Sequence, residues 1–173
     1  MTLRDEYPVL IPGDKTEKVA NNAFMLEELI MQDHKNGKLT WTLQAPASSV
    51  LVHGHCHQKA LGAFSSVQQC LRLIPDMEIK VIETSCCGMA GAFGYSRDTA
   101  KASLEMAELD LLPAVREADP HTIIVADGTS CRHQINDGAE RNAIHVAELL
   151  AMALVKPINN NATTASSTIE NAA

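Results

Sequence analysis

The sequence has few aromatic residues and no long apolar run. Phe, Trp and Tyr make up 3% of the 173 residues, whereas hydrophobic residues as a whole reach 46%, so the core must be aliphatic. No apolar run approaches the ~20 residues that a membrane-spanning helix requires. The first residues, MTLRDE, do not resemble a signal peptide. We therefore expect a cytoplasmic protein without a transmembrane segment.

Positive charge is also scarce. Lys and Arg number 14 against 21 Asp and Glu, which gives a net charge of −7. Nucleic-acid binding depends on clustered Lys and Arg, so nucleic acid is excluded as an expected partner. The 5 cysteines are an odd number and include one adjacent pair, which does not fit a secreted disulfide framework. In a reducing compartment such cysteines more often bind metal or carry out redox chemistry.

Strand patterns alternate with helix patterns along the chain. Short apolar or alternating segments predict strands at 49–53, 78–83, 122–126 and 143–145. Helical spacing of apolar residues predicts helices at about 16–36, between the first two strands, from 96 to about 115, and at 146–156. This alternation predicts an α/β fold with a mostly parallel sheet and helices on both faces, a Rossmann-like arrangement of three layers.

The composition divides the chain into three parts within a single domain. Residues 1–48 are predicted to form an N-terminal loop and a covering helix, with a short edge strand at 39–43. Residues 49–156 are predicted to form a cysteine-rich α/β core, with a loop at 137–138. The segment 157–173 is small, polar and without periodicity, so we expect a disordered tail.

Four of the cysteines follow directly on predicted strands. They are Cys56, Cys86, Cys87 and Cys131. Because the carboxyl ends of parallel strands lie along one edge of a sheet, three loops distant in sequence should deliver four thiols to one place. Nearby helix N-termini would favour the thiolate form, and Gly88 would permit a tight turn beside the sulfur atoms. Cys70 lies within a predicted helix, and we assign it to the core.

Four thiolates at one edge suit an iron–sulfur cluster or a zinc ion. The spacing does not choose between them, because neither a C-x-x-C motif nor a ferredoxin-type run is present. Several histidines lie near these cysteines and could bind metal or donate a hydrogen bond to sulfur. They are His53, His55 and His57 around Cys56, His133 after Cys131, and His145 at the end of the fourth strand. Arg132 could balance the negative charge of a cluster.

Three segments together resemble a known family. They read GHCH at 54–57, SCCGMAG at 85–91 and DGTSCR at 127–132. These segments resemble the cysteine-rich CCG domain, which occurs in the glycolate oxidase iron–sulfur subunit and in heterodisulfide reductase subunits. A similar domain ends the fused FAD-linked oxidases of 2-hydroxy acids. The resemblance runs from about residue 2 to residue 154.

This resemblance implies an electron-transfer module that holds an iron–sulfur cluster, of the [4Fe–4S] type in some relatives. It implies Cys56, Cys86, Cys87 and Cys131 as ligands. The neighbouring residues His55, His57 and His133 stay candidates for supporting or alternative ligands because of their positions in the sequence. The module would belong to, or partner, a flavoprotein that oxidises a 2-hydroxy acid such as D-lactate, glycolate or 2-hydroxyglutarate. FAD would reside on that partner or on a missing domain. We therefore expect a subunit or fragment of an oxidoreductase rather than a complete enzyme.

The chain departs from the family pattern in two respects. Gly128 stands where the family usually has the first cysteine of a closing C-x-x-C. The family domain also has a preceding half with its own cysteine motif, and we expect that half to be missing here. Three alternatives therefore stay open: a structural zinc site, metal-free thiol–disulfide chemistry at Cys86 and Cys87, and a truncated remnant that binds no cluster.

Overall fold

A four-stranded parallel sheet forms the centre of the molecule. The computed structural model describes residues 1–83 and 86–155, so the predicted tail at 157–173 lies outside the described residues. The strands are β1 (Ser49–His53), β2 (Glu78–Val81), β3 (Ile123–Ala126) and β4 (Ala143–Ile144). Their order across the sheet is β2-β1-β3-β4, and every pairing is parallel. The predicted α/β fold with a parallel sheet is confirmed.

The strand register brings the ends of β1, β2 and β3 side by side. Val52 of β1 pairs with Val81, the last residue of β2, and His53 of β1 pairs with Ala126, the last residue of β3. We call this side of the sheet the carboxyl edge. The strands end within about one residue of one another along the strand direction. The loops that follow them therefore lie side by side.

Helices cover both faces of the sheet. In chain order they are α1 (Glu6–Leu10), α2 (Asp14–Asn21), α3 (Leu26–Lys35), α4 (Cys56–Ala60), α5 (Phe64–Leu71), α6 (Ala100–Ala107), α7 (Leu111–Glu117), α8 (Thr129–Ala139) and α9 (Val146–Ala153), with a 3-10 turn at Phe93–Tyr95. Val50 and Val52 pack with buried residues of α3, α5 and α9. Leu51 points the other way and packs with residues of α6, α7 and α8. Strand alternation thus divides the core into two apolar layers.

The N-terminal region differs from the prediction. The expected loop contains α1, and the single helix expected at 16–36 is interrupted to give α2 and α3. The interruption has a local cause, because Met25 is extended and its backbone N–H donates to the Glu28 carboxylate at 2.9 Å. This contact satisfies a donor at the start of α3 and makes Met25 its N-cap residue. Apolar spacing continues across the break and conceals it.

Three further expectations are corrected. The edge strand predicted at 39–43 is reduced to a single bridge between Leu43 and Leu154. The helix predicted from residue 96 begins at Ala100, and it is divided into α6 and α7; Pro113 lies in the first turn of α7, which agrees with the expectation that this proline kinks the helix or starts a new turn. The loop predicted at 137–138 lies inside α8, because Gly138 packs closely against Leu112 of α7; an added Cβ would lie 2.4 Å from its Cδ1.

Within the described ranges, no helix combines the length and the apolar character needed to cross a bilayer.

Two leucines in and just before α7 permit a direct test of the fold. Leu111 is fully buried, whereas Leu109, two residues earlier, is 76% exposed. Leu111→Ala should lower the free energy of unfolding by about 2–5 kcal/mol, because it leaves a cavity in the core. Leu109→Ala should change it by less than about 0.5 kcal/mol. Urea unfolding monitored by circular dichroism measures both, and equal effects would contradict the placement of α7.

Candidate metal centre

The four cysteines predicted to share a site all lie at the carboxyl edge. Cys56 is the first residue of α4, directly after β1, and Cys131 is in the first turn of α8, after β3. Cys86 and Cys87 belong to the loop that follows β2. Cys87 and Cys131 are buried, Cys86 is half-buried and Cys56 is exposed. The site therefore extends from the interior to the surface.

The sulfur atoms of Cys87 and Cys131 are in direct contact. The Cys131 thiol donates to the sulfur of Cys87 across 3.3 Å. This hydrogen bond lowers the pKa of Cys87 well below its ordinary value, although burial opposes the shift. The same bond raises the pKa of Cys131, and burial and the negative charges of Cys87, Cys56 and Cys86 add to the increase. All four thiols therefore lie close enough to act on one another electrostatically.

His53 completes a buried group with these two cysteines. One ligand atom from each of His53, Cys87 and Cys131 lies within 4.8 Å of the other two, and we call this group the inner triad. His53 is 2% exposed, and neither of its ring nitrogens has a hydrogen-bond partner of good geometry among the described residues, although the ring lies close enough to the Cys87 sulfur to help lower the pKa of Cys87. A buried polar group without a partner is costly and rare. A metal held by the two sulfurs would give this imidazole a partner.

Each member of the inner triad comes from a different strand or strand end. His53 is the last residue of β1, which lies between β2 and β3 in the sheet. It shares the side of β1 on which Leu51 lies, because side chains alternate along a strand. Cys87 and Cys131 follow the two flanking strands and meet near the end of the central one. Strand alternation was the signal in the sequence that could have singled out His53 from the neighbouring histidines.

Cys56 lies in a second, more exposed group. One ligand atom from each of His55, Cys56 and His57 lies within 4.8 Å of the others, and we call these residues the outer group. Nδ1 of His55 accepts the backbone N–H of His57 at 3.2 Å, and the two rings are stacked. Burial is the main cause of a lowered pKa at His55, with the charge of His57 second. A neutral imidazole is the form that binds metal.

The outer group borders the inner triad at Gly128. A Cβ atom at Gly128 would lie 2.3 Å from Cδ2 of His55 and 2.9 Å from the sulfur of Cys131. The absence of a side chain therefore allows the His55 ring and the Cys131 sulfur to approach the same stretch of backbone. Gly128 therefore has a definite packing role in this chain.

Backbone amides also contact the sulfur atoms. The N–H of Gly88 donates to the sulfur of Cys86 across 3.3 Å. Burial raises the pKa of Cys86, and this hydrogen bond opposes the increase. The backbone of Met89 similarly contributes to the lowered pKa of Cys87. Hydrogen bonds to sulfur are one means by which a protein adjusts the reduction potential of an iron–sulfur cluster.

Two residues suggested by the sequence make other contacts. His133 pairs with the hydroxyl of Tyr95, with 2.6 Å between Nδ1 and the phenolic oxygen. Arg132 donates to the backbone carbonyls of Ala126 and Asp127, so it braces the turn between β3 and α8. Neither residue belongs to the inner triad or to the outer group.

Cys70 lies in the core, as predicted, and belongs to the layer opposite the inner triad. It is fully buried, and its thiol donates to the backbone carbonyl of Glu27 at 3.4 Å. Burial raises its pKa to about 12. Cys70 lies in a different apolar layer from Cys87 and Cys131, so it is a core residue.

The chain is similar to parts of two kinds of dehydrogenase. It is 28% identical over 152 residues to one of the subunits of the anaerobic glycerol-3-phosphate dehydrogenase of Escherichia coli K12, and the match covers 88% of this chain and 37% of that protein. The corresponding protein of strain O157:H7 matches equally. A D-2-hydroxyglutarate dehydrogenase of Haemophilus influenzae is 36% identical over 58 residues, or 34% of this chain and 6% of that protein.

The chain thus spans little more than a third of the length of the glycerol-3-phosphate dehydrogenase subunits that it matches. No family model matches it, and neither does any solved structure. These similarities relate the chain to oxidoreductases. The resemblance to the CCG domain, in contrast, stays a prediction from the motifs.

The loop that carries Cys86 and Cys87 depends on a glycine. Gly88 has φ of +85°, and an added Cβ would lie 2.1 Å from the backbone oxygen of Ser103 in α6. Gly91 has φ of +68° but nothing near its missing side chain. Gly91→Ala should cost about 1–2 kcal/mol from backbone strain alone. Gly88→Ala should cost about 1–3 kcal/mol more, because α6 must also move.

The midpoints of urea unfolding of the two metal-free glycine variants give this comparison. Equal losses of stability would show that the loop does not approach α6 as described.

Proposed function

We propose that this chain is an electron-transfer module that binds an iron–sulfur cluster through Cys56, Cys86, Cys87 and Cys131. The observation that carries the proposal is the contact between the Cys87 and Cys131 sulfurs beside the buried His53, whose nitrogens have no hydrogen-bond partner of good geometry in the described part of the chain. The charges of Cys56 and Cys86 act on the pKa of Cys131, and the charge of Cys56 acts on that of Cys86, which supports their inclusion in the same centre.

The residues present fit such a group. Iron–sulfur clusters are bound by thiolates, and their potential depends on net charge, solvent exposure and hydrogen bonds to sulfur. When bound, the cluster would accept and release single electrons. The chain itself would exclude water around Cys87 and Cys131, support sulfur charge through the N–H of Gly88, and expose the Cys56 side to a partner.

We further propose that the partner is a flavoprotein dehydrogenase, or that the module forms part of one. Support comes from the similarity to a subunit of glycerol-3-phosphate dehydrogenase and to a segment of D-2-hydroxyglutarate dehydrogenase. The substrate class suggested by these names is a small hydroxylated acid or phosphate. FAD and the substrate would lie outside the described chain.

One observation favours a second candidate, a zinc site. The inner triad offers two sulfurs and one imidazole nitrogen, and zinc commonly accepts mixed cysteine and histidine ligands. In that arrangement His53 would be a ligand, and the centre would be structural. The two proposals differ in the metal, in the colour of the protein and in the importance of His53.

Serine substitution of the cysteines tests the iron–sulfur proposal. Replacement of any one of Cys56, Cys86, Cys87 or Cys131 by Ser should remove most of the iron and sulfide from anaerobically purified protein. A second replacement should add little, because one missing ligand already opens the centre, so the effects are non-additive. Chemical iron and sulfide analysis, with visible absorbance, gives the measurement.

Cys70→Ala is the control for the cysteine series. It should keep the metal and lose about 1–2 kcal/mol of stability, because a buried sulfur is removed from the core. Loss of metal from this variant with the fold retained, or full iron content in the serine variants, would contradict the assignment of ligands.

The His53→Leu variant distinguishes a zinc ion from an iron–sulfur cluster. If zinc is bound by the inner triad, the variant should lose stoichiometric zinc, because one of its ligands is gone. If four cysteines bind a cluster, the variant should keep iron and sulfide, and its reduction potential should shift because the group beside sulfur has changed. Metal analysis together with a redox titration distinguishes these results.

A further inference from the structure

A second cluster of ionisable side chains lies in the other layer of the core. One ligand atom from each of Glu27, Asp127 and His145 lies within 4.8 Å of the other two. Glu27 is in the first turn of α3, Asp127 follows β3, and His145 is the N-cap residue of α9. We call these residues the acidic triad. They share no residue with the inner triad or the outer group.

The two carboxylates of the acidic triad are buried. Glu27 is 1% exposed, and its Oε2 atom has no hydrogen-bond partner among the residues that the structure describes. The side chain of Asp127 is 6% exposed; its Oδ2 accepts from Gln58 at 2.7 Å and its Oδ1 from the backbone N–H of Val146 at 3.0 Å. The oxygen of Glu27 is thus a buried acceptor that nothing in the described chain satisfies.

The negative charge of this group is also poorly balanced. The nearby guanidinium of Arg132 donates to backbone carbonyls, and Arg4 pairs with Glu28. His145 is 3.7 Å from Asp127, but its Nδ1 accepts the backbone N–H of Ala147, which is the role of an unprotonated nitrogen. Burial, together with the charge of Asp127, raises the pKa of Glu27. A bound cation would stabilise the ionised form of both carboxylates.

We propose that the acidic triad is a binding site for a divalent transition-metal cation such as Mn²⁺ or Fe²⁺. Two carboxylates and an imidazole are a donor set suited to these ions, whereas thiolates select softer metals. The orphaned oxygen of Glu27 would become a ligand, and the remaining positions would be open to water. This site is independent of the proposed cluster and contains none of its cysteines.

The bound cation would link α3, the turn after β3 and the start of α9. Asp127 begins the turn that leads to Cys131, and it also accepts from Gln58, two residues after Cys56. Glu27 brings α3 to the same point, and His145 brings the start of α9. The cation would therefore hold two of the cysteine loops in place from the opposite side of the sheet.

Titration of the full chain with Mn²⁺ tests this site, with the electron paramagnetic resonance signal of aqueous Mn²⁺ reporting the free ion. The wild type should bind one Mn²⁺ per chain, and Glu27→Gln should weaken binding at least roughly tenfold. Glu28→Gln removes the neighbouring carboxylate on the same helix and should bind as the wild type does. Mn²⁺ should also raise the melting temperature of the wild type and of Glu28→Gln but not of Glu27→Gln.

His145→Asn provides a second variant whose fold is protected, since Asn is a preferred N-cap residue and α9 keeps its cap. It should also weaken Mn²⁺ binding at least roughly tenfold. Absence of Mn²⁺ binding by the wild type would overturn the proposal. Equal binding by the wild type, Glu27→Gln and His145→Asn would overturn it as well, because the ion would then lie elsewhere.

Discussion

Three parallel strands end side by side, and the hydrogen bonds that fix their register determine where the cysteines lie. β1 is central, with β2 and β3 on either side. The loop after β2 brings Cys87 and the turn after β3 brings Cys131 to the end of β1, where His53 lies beneath them. A slip of one residue in β1 would turn His53 to the other face, because side chains alternate along a strand. The contact between the two sulfurs therefore depends on this register.

This arrangement of the site includes features that are locally unfavourable for stability. The backbone at Gly88 is left-handed, and Gly128 leaves space for the His55 ring beside the Cys131 sulfur. His53 and Glu27 are buried polar groups with atoms that lack hydrogen-bond partners of good geometry in the described residues. Such features weaken an ordinary core. They occur on both sides of one sheet edge, and a bound positive centre on each side would stabilise them.

The sequence predicts the strands and the position of the cysteines at the carboxyl edge, because both follow from local patterns. Short apolar runs predict β1 and β3, and the cysteine that follows each run is then expected at the carboxyl edge. The interruption between α2 and α3 was missed because apolar spacing continues across Met25, where a cap ends the periodicity. The acidic triad was missed because Glu27 and Asp127 are 100 positions apart and share no spacing signal. Glu27 and Asp127 become neighbours only because α3 packs against the sheet.

The central claim is that four thiols from three loops form one redox-active centre. The most direct measurement is the electron paramagnetic resonance spectrum of anaerobically purified protein, recorded before and after reduction with dithionite. We expect a low-temperature iron–sulfur signal that changes with reduction and integrates to about one cluster per chain. Protein that holds stoichiometric zinc, or no metal at all, and gives no such signal in either state would contradict it.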